Sequence, residues 1–150
     1  MVDIPVFNEK MMNKKILFLC LFSLFLFTGC TSKVTCTMNS SETGRKVSTT
    51  LKITFKGDKV HTLDENSVFT FNKDYLSTID VVYDAMNEGY KKYDEDPGIK
   101  INTSKEKDTI TVKIKIIPEK QKTTSDNIID VQLSKPDLIK ELETEGYTCK

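Results

Sequence analysis

Cys30 stands where a long apolar run ends. Ile16 to Phe27 is broken only by Cys20 and Ser23, Thr28 and Gly29 are small, and the chain beyond Cys30 is polar. A thiol in that place is the most distinctive reactive group of the 150 residues. His61 is the single histidine, and no Ser, Cys or carboxylate stands at a recognised catalytic spacing from it. A lone imidazole can shuttle protons, yet an exposed structural role is the simpler reading. Asp94, Glu95 and Asp96 invite a calcium reading, but the D-x-D-x-D-G…E spacing of an EF-hand loop is absent. Three acids before Pro97-Gly98 read instead as a solvated turn. Tyr83, Tyr90 and Tyr93 could form an aromatic platform for a sugar or peptide, although tyrosines at helical spacing on an apolar face are usually core. No G-x-S-x-G, H-E-x-x-H or phosphate loop occurs. These residues give no positive support for an enzyme, and none of them implies a cofactor.

The segment ahead of Cys30 explains its setting. Met12-Asn13-Lys14-Lys15 is a short positive head, the apolar run follows, and small residues close it. That is the layout of a secretory signal rather than of a membrane span, which needs roughly 20 apolar residues. With a cysteine directly after the small residues, the segment resembles a bacterial lipoprotein signal, whose lipobox ends in an invariant cysteine. Phe27 stands where that pattern usually has Leu. The resemblance implies cleavage before Cys30 and a lipid on its sulfur. The chain would then sit at the outer face of a cell membrane, because two acyl chains suffice for stable anchoring. The alternatives are a plain signal peptide or an uncleaved anchor. Residues 1–11, with Asp3, Glu9 and Pro5, fit the signal poorly and are expected to be a gene-model extension. The expected organisation is therefore an extension over 1–11, a signal over 12–29 and one extracytoplasmic domain over 30–150.

From Cys30 onward the chain has 19 basic and 20 acidic side chains with both signs interspersed. Such a balance offers no electrostatic footprint for nucleic acid and no polybasic patch for lipid head groups. The cysteines divide by address, Cys20 to the signal and Cys30 to the lipid, which leaves Cys36 and Cys149. Outside the cytoplasm an even pair favours a disulfide. Two buried free thiols, or a redox or metal pair, are the alternatives. No CxxC occurs, and a metal site needs three or four ligands, for which His61 is poor support.

Hydrophobic periodicity supplies the elements. Val34, Cys36 and Met38 alternate with Thr35 and Thr37, so a strand over Lys33–Met38 begins almost at Cys30, and Asn39 to Gly44 reads as turn. Leu51, Ile53 and Phe55 mark one face of a strand from Val47 to Lys56, followed by the turn Gly57-Asp58. Lys59–Leu63 and Ser67–Phe71 read as one interrupted strand or two short ones. Leu76, Ile79, Tyr83, Met86, Tyr90 and Tyr93 recur at spacings of three and four, widened by Val82 and Ala85, which predicts a long amphipathic helix starting at Asn72 as N-cap. Ile99–Thr103 and Thr109–Ile117 predict a second hairpin, Glu119–Asp126 a polar loop and Asn127–Leu133 a short strand. Ser134 and Asp137 are spaced as a capping box for a short helix carrying Leu138, Ile139 and Leu142, with Gly146 as its stop. The expected class is α+β: an antiparallel sheet, with hairpins before and after one long helix, and a short C-terminal helix.

This layout resembles the small bacterial lipoproteins of the YehR-like group. The resemblance rests on Thr28-Gly29-Cys30, the run Phe55-Lys56-Gly57-Asp58-Lys59-Val60, the Tyr-rich helix closing before Pro97-Gly98-Ile99, and the Leu138–Leu142 helix. It implies an envelope lipoprotein and carries over no catalytic residues. The expectation is a membrane-anchored, non-catalytic module that binds an envelope protein or small ligand. The rival is an enzyme or enzyme inhibitor acting on envelope polymers, which would need a concave pocket with converging carboxylates or His61.

Overall fold

Alternating residues that send apolar side chains one way and polar ones the other build a single antiparallel sheet. In this computed structural model, which describes residues 30–122 and 129–150, it comprises β1 (Thr31–Glu42), β2 (Arg45–Lys56), β3 (Lys59–Phe71), β4 (Ile99–Lys105), β5 (Thr109–Ile116) and β6 (Thr148–Cys149). The strand order is β4-β5-β3-β2-β1-β6. Leu51, Ile53 and Phe55 of β2 and Ile110, Val112, Ile114 and Ile116 of β5 are buried on one face. Against that face pack α1 (Ile79–Tyr90) and α2 (Lys135–Thr144), through Val82, Tyr83, Met86, Leu138 and Leu142. The α+β class, the antiparallel hairpins and the short C-terminal helix are as the periodicity predicts.

Tight turns make the strands longer than their composition suggests. Asn39 to Glu42 belong to β1, paired in register up to Glu42↔Arg45, and only Thr43-Gly44 turns the chain. Gly44 has φ +89, and a Cβ there would lie 2.5 Å from the Tyr75 ring. Gly57, at φ +63, takes the first loop position of the next hairpin, where a type II′ turn demands a positive φ. β3 is one continuous strand. Its pairing with β2 steps from Thr54↔Thr62 to Phe55↔Val60, so His61 is the extra residue of a β-bulge.

Further expectations are corrected. The run after Asn72 is not one α-helix but a 3₁₀ turn (Lys73–Thr78), then α1, then a 3₁₀ turn (Lys91–Tyr93). Asn72 makes no side-chain cap; its N–H is held by the Gly44 carbonyl at 2.8 Å, which together with the Tyr75–Gly44 contact pins the opening turn. Ala85 faces solvent rather than widening the apolar stripe. Ser134 Oγ donates to the Asp137 carboxylate and accepts no bond from a backbone N–H, so no capping box forms. Residues 129–133 are turns with Val131 buried, not a strand, while Asn127 and Ile128 lie outside the described residues. The expected polar loop opens instead with a 3₁₀ turn, Pro118–Lys120, and its residues 123–126 lie outside the described set, as does the expected signal over 12–29. Gly146, at φ +98, stops α2 as expected. Its N–H reaches the Glu143 carbonyl and that of Tyr147 the Leu142 carbonyl, a Schellman pair that turns the chain back toward β1.

Candidate functional site

The two ends of the domain meet on one sheet edge. Cys36 and Cys149 are register partners on β1 and β6 and form a disulfide, Sγ–Sγ 1.99 Å, across a sequence separation of 113. Paired bonds of 2.9 Å between Thr35 and Lys150 extend that contact. Cys30 is exposed and is the free cysteine among the described residues. It is bonded directly to Thr31, the first residue of β1.

Of the tyrosine stripe, Tyr83 and Tyr90 are packing rather than a platform, while Tyr93 lies under the Lys92 ammonium, 4.8 Å from its ring centre. Tyr83 and Tyr90 lie against the core, and no described depression is lined by Tyr83, Tyr90 or Tyr93. Hydrogen bonds with the Thr103 and Asn87 side chains hold the Tyr83 phenol below its ordinary value of 10.0. Burial, and then the negative charge of Glu65, push Tyr90 and Tyr147 above it. The sign for the latter pair is definite: the folded chain keeps these phenolic protons more tightly than the unfolded chain does. Their effect is fully favourable below pH 10 and is lost as pH rises through the folded values. Phenolate absorbance should therefore show Tyr83 titrating before Tyr90 and Tyr147. The melting temperature should fall above pH 10, and fall less in a Y90F/Y147F chain.

Glu65, which the sequence reading passed over, is the acid that affects both phenols. It sits on the core side of β3, in register with Leu51 and Ile114. Ser67 Oγ donates to it at 2.7 Å. Because the Ser67 proton is engaged there, the 2.9 Å contact with Thr49 Oγ1 is a bond that Thr49 donates. Thr49 and Ser67 are each 4% exposed, so this chain of hydroxyls satisfies polar groups inside the sheet. Period-two spacing signals it, since Glu65 follows Leu63 and precedes Ser67 and Phe69 at inward positions. His61 is not part of it; its Nδ1 lies 3.9 Å from Glu119 Oε1. Asp96 accepts the Gly98 N–H at 2.8 Å and also faces the Lys122 N–H, which commits it to closing a turn. Among the described residues no group of three His, Cys, Asp or Glu side chains is disposed to hold a metal.

The opposite face of the sheet carries no helix among the described residues, and its chemistry is concentrated. One row across the strands reads Lys100, Lys115, Asp64, Lys52, Thr35, and the next reads Asn102, Lys113, Asn66, Thr50, Thr37. These rows line most of a shallow depression of about 660 Å³. Lys33, Lys46, Lys56 and Lys59 share the face, so that among the described residues β1 to β5 turn eight lysines outward against one acid, Asp64, which lies 3.7 Å from Lys115 Nζ. Among the described residues, the outward positions of β1 to β5 hold no aromatic side chain and one large aliphatic, Val68. This corrects the expectation that interspersed charge leaves no polybasic patch. Lysines that alternate with apolar residues along each strand are all sent by the pleat to the face opposite the core. The alternation of Thr111, Lys113 and Lys115 against Ile110, Val112 and Ile114 was the available signal.

Neither a family model nor a curated protein matches the chain by sequence. Two solved structures share the fold. One is the NMR structure of a protein from Streptococcus pneumoniae TIGR4, at 13% identity and TM-score 0.51, covering 100% of this chain and 93% of that one. The other is the NMR structure of the E. coli YehR protein, at 12% identity and TM-score 0.57, covering 79% of this chain and 91% of that one. The likeness is one of fold, and it agrees with the layout noted for the YehR-like group.

Proposed function

We propose that the chain is a lipid-anchored extracytoplasmic binding module of the YehR-like lipoprotein kind. Cys30 carries the lipid, and the helix-free sheet face is turned to the partner. The observation that carries this reading is the state of the thiols. Cys36 and Cys149 are committed to each other, while Cys30 remains free, exposed and immediately behind Thr28-Gly29. No stretch of flexible linker separates Cys30 from β1, so a diacylglyceryl group there would hold the folded domain at the membrane surface. The chain's role is binding rather than turnover, because its inward carboxylate, Glu65, is engaged by Ser67 and its imidazole lies at a bulge facing Glu119. Metabolic labelling with palmitate tests the anchor. The wild type should incorporate label, and Cys30→Ser should incorporate none and retain the residues before position 30. Equal labelling of both chains would sink the proposal.

A further inference from the structure

The eight lysines of the helix-free face are not spread evenly over it. Seven lie between the row of Lys113 and the strand end at Thr31, with Lys46 alone toward the other end. By strand rise, those seven fall within about 20 Å of Thr31 along β1, and they span about 20 Å across the sheet from β1 to β4. Acids outnumber bases on the helical side of the domain, where α1 carries Asp80, Asp84 and Glu88 with no base and α2 carries Asp137, Glu141 and Glu143 against Lys135 and Lys140. The domain is thus electrically two-sided, and its positive side is richest at the Thr31 end of β1.

We propose that this face docks on an anionic phospholipid surface, acting as the second membrane signal beside the lipid on Cys30. The inference rests on the anchored reading for its orientation, since the anchor would hold the lysine-rich end at the bilayer. Charge complementarity selects the occupant. A face without aromatic side chains has no platform on which nucleic-acid bases stack, and one large aliphatic gives an apolar peptide nothing to bury. Lysine ammonium groups on a broad sheet instead suit a surface of many phosphates, each lysine contributing roughly a fivefold gain in partition. Seated this way, the domain would lie flat with α1 and α2 turned away from the membrane.

Vesicle sedimentation tests the face separately from the anchor. The protein is the unlipidated chain beginning at Cys30, which keeps the whole Thr31–Lys150 unit with its core and disulfide. Phosphatidylcholine vesicles with and without phosphatidylglycerol are compared at low and high salt. Binding should require phosphatidylglycerol and weaken with salt. A K33Q/K52Q/K113Q chain should partition roughly a hundredfold less. A K73Q/K91Q/K140Q chain, with the same change in net charge on the helical side, should partition nearly as the wild type does. Matching thermal melts for all three chains would show that folding is not the cause. Equal binding to both vesicle types, or equal losses in the two triple variants, would overturn the proposal. So would tight binding of inorganic polyphosphate or single-stranded DNA through Lys33, Lys52 and Lys113 with no vesicle binding. A failed palmitate experiment with successful vesicle binding would remove the anchor and leave the face.

Discussion

A C36A/C149A chain is expected to lose about 3–5 kcal/mol of unfolding free energy. The bridge spans a sequence separation of 113 and encloses nearly the whole domain, so its loss frees the unfolded chain to expand. Folded-state consequences add to this. β6 is two residues long and is otherwise tied to β1 by its short ladder and the Thr35–Lys150 bonds. Without the bridge, fraying of that strand would uncover Cys36, which is 0% exposed, and would loosen Tyr147 where α2 returns to the sheet. Removing two sulfur atoms from the packing is a smaller effect, about 1 kcal/mol. Against a total of roughly 5–15 kcal/mol for a domain, the loss is severe. Urea unfolding with and without reductant gives the check: reduced wild type should unfold alongside the variant. If reduced and oxidised wild type unfold at the same urea concentration, the bridge contributes nothing.

Phe55→Ala should cost about 3–5 kcal/mol, the range for truncating a buried aromatic. Phe55 is 0% exposed and joins three parts of the fold. It pairs with Ser32 of β1 and with Val60 of β3, beside the His61 bulge, and the Lys135 ammonium at the start of α2 lies 5.4 Å from its ring centre. The Lys135 amide also donates to the Asp58 carbonyl at 2.8 Å, and its ammonium to Ser32 Oγ at 2.9 Å, so little can move in to fill the space left by the ring. Val81→Ala is the companion measurement. Val81 is 70% exposed and should change stability by less than about 0.5 kcal/mol. Equal effects at the two positions would contradict the assignment of Phe55 to the core.

What could be read from the sequence followed the periodicity of the core. Leu51, Ile53 and Phe55, and Ile110 to Ile116, announce their inward face because only one spacing buries them together. The errors arose where a strand's polar face has the composition of a loop. Asn39 to Glu42 look like turn chemistry, yet the two-residue loop at Thr43-Gly44 forces them to pair. Asp64 to Asn66 interrupt the apolar pattern of β3 because Glu65 occupies an inward position, satisfied by Ser67 in a way that no local signal reveals. The helix after Asn72 was legible in its stripe but not in its opening 3₁₀ turn, which depends on Gly44, distant in sequence. The basic face was hidden by counting charge in one dimension. Nineteen bases and twenty acids nearly cancel along the chain from Cys30, but the pleat sends lysines to one side and the helices hold acids on the other. Cys30 needed no fold to be noticed, because its meaning lies in the residues before it.

The central claim is that Cys30 becomes the lipid-bearing first residue of an envelope protein. Intact mass spectrometry of the protein extracted from membranes tests it most directly. The account predicts a chain beginning at Cys30, heavier than its sequence from that residue by at least a diacylglyceryl group, with the excess mass on the Cys30 sulfur and the Cys36–Cys149 bridge intact. A chain that begins elsewhere, or that carries an unmodified Cys30 thiol, would contradict it.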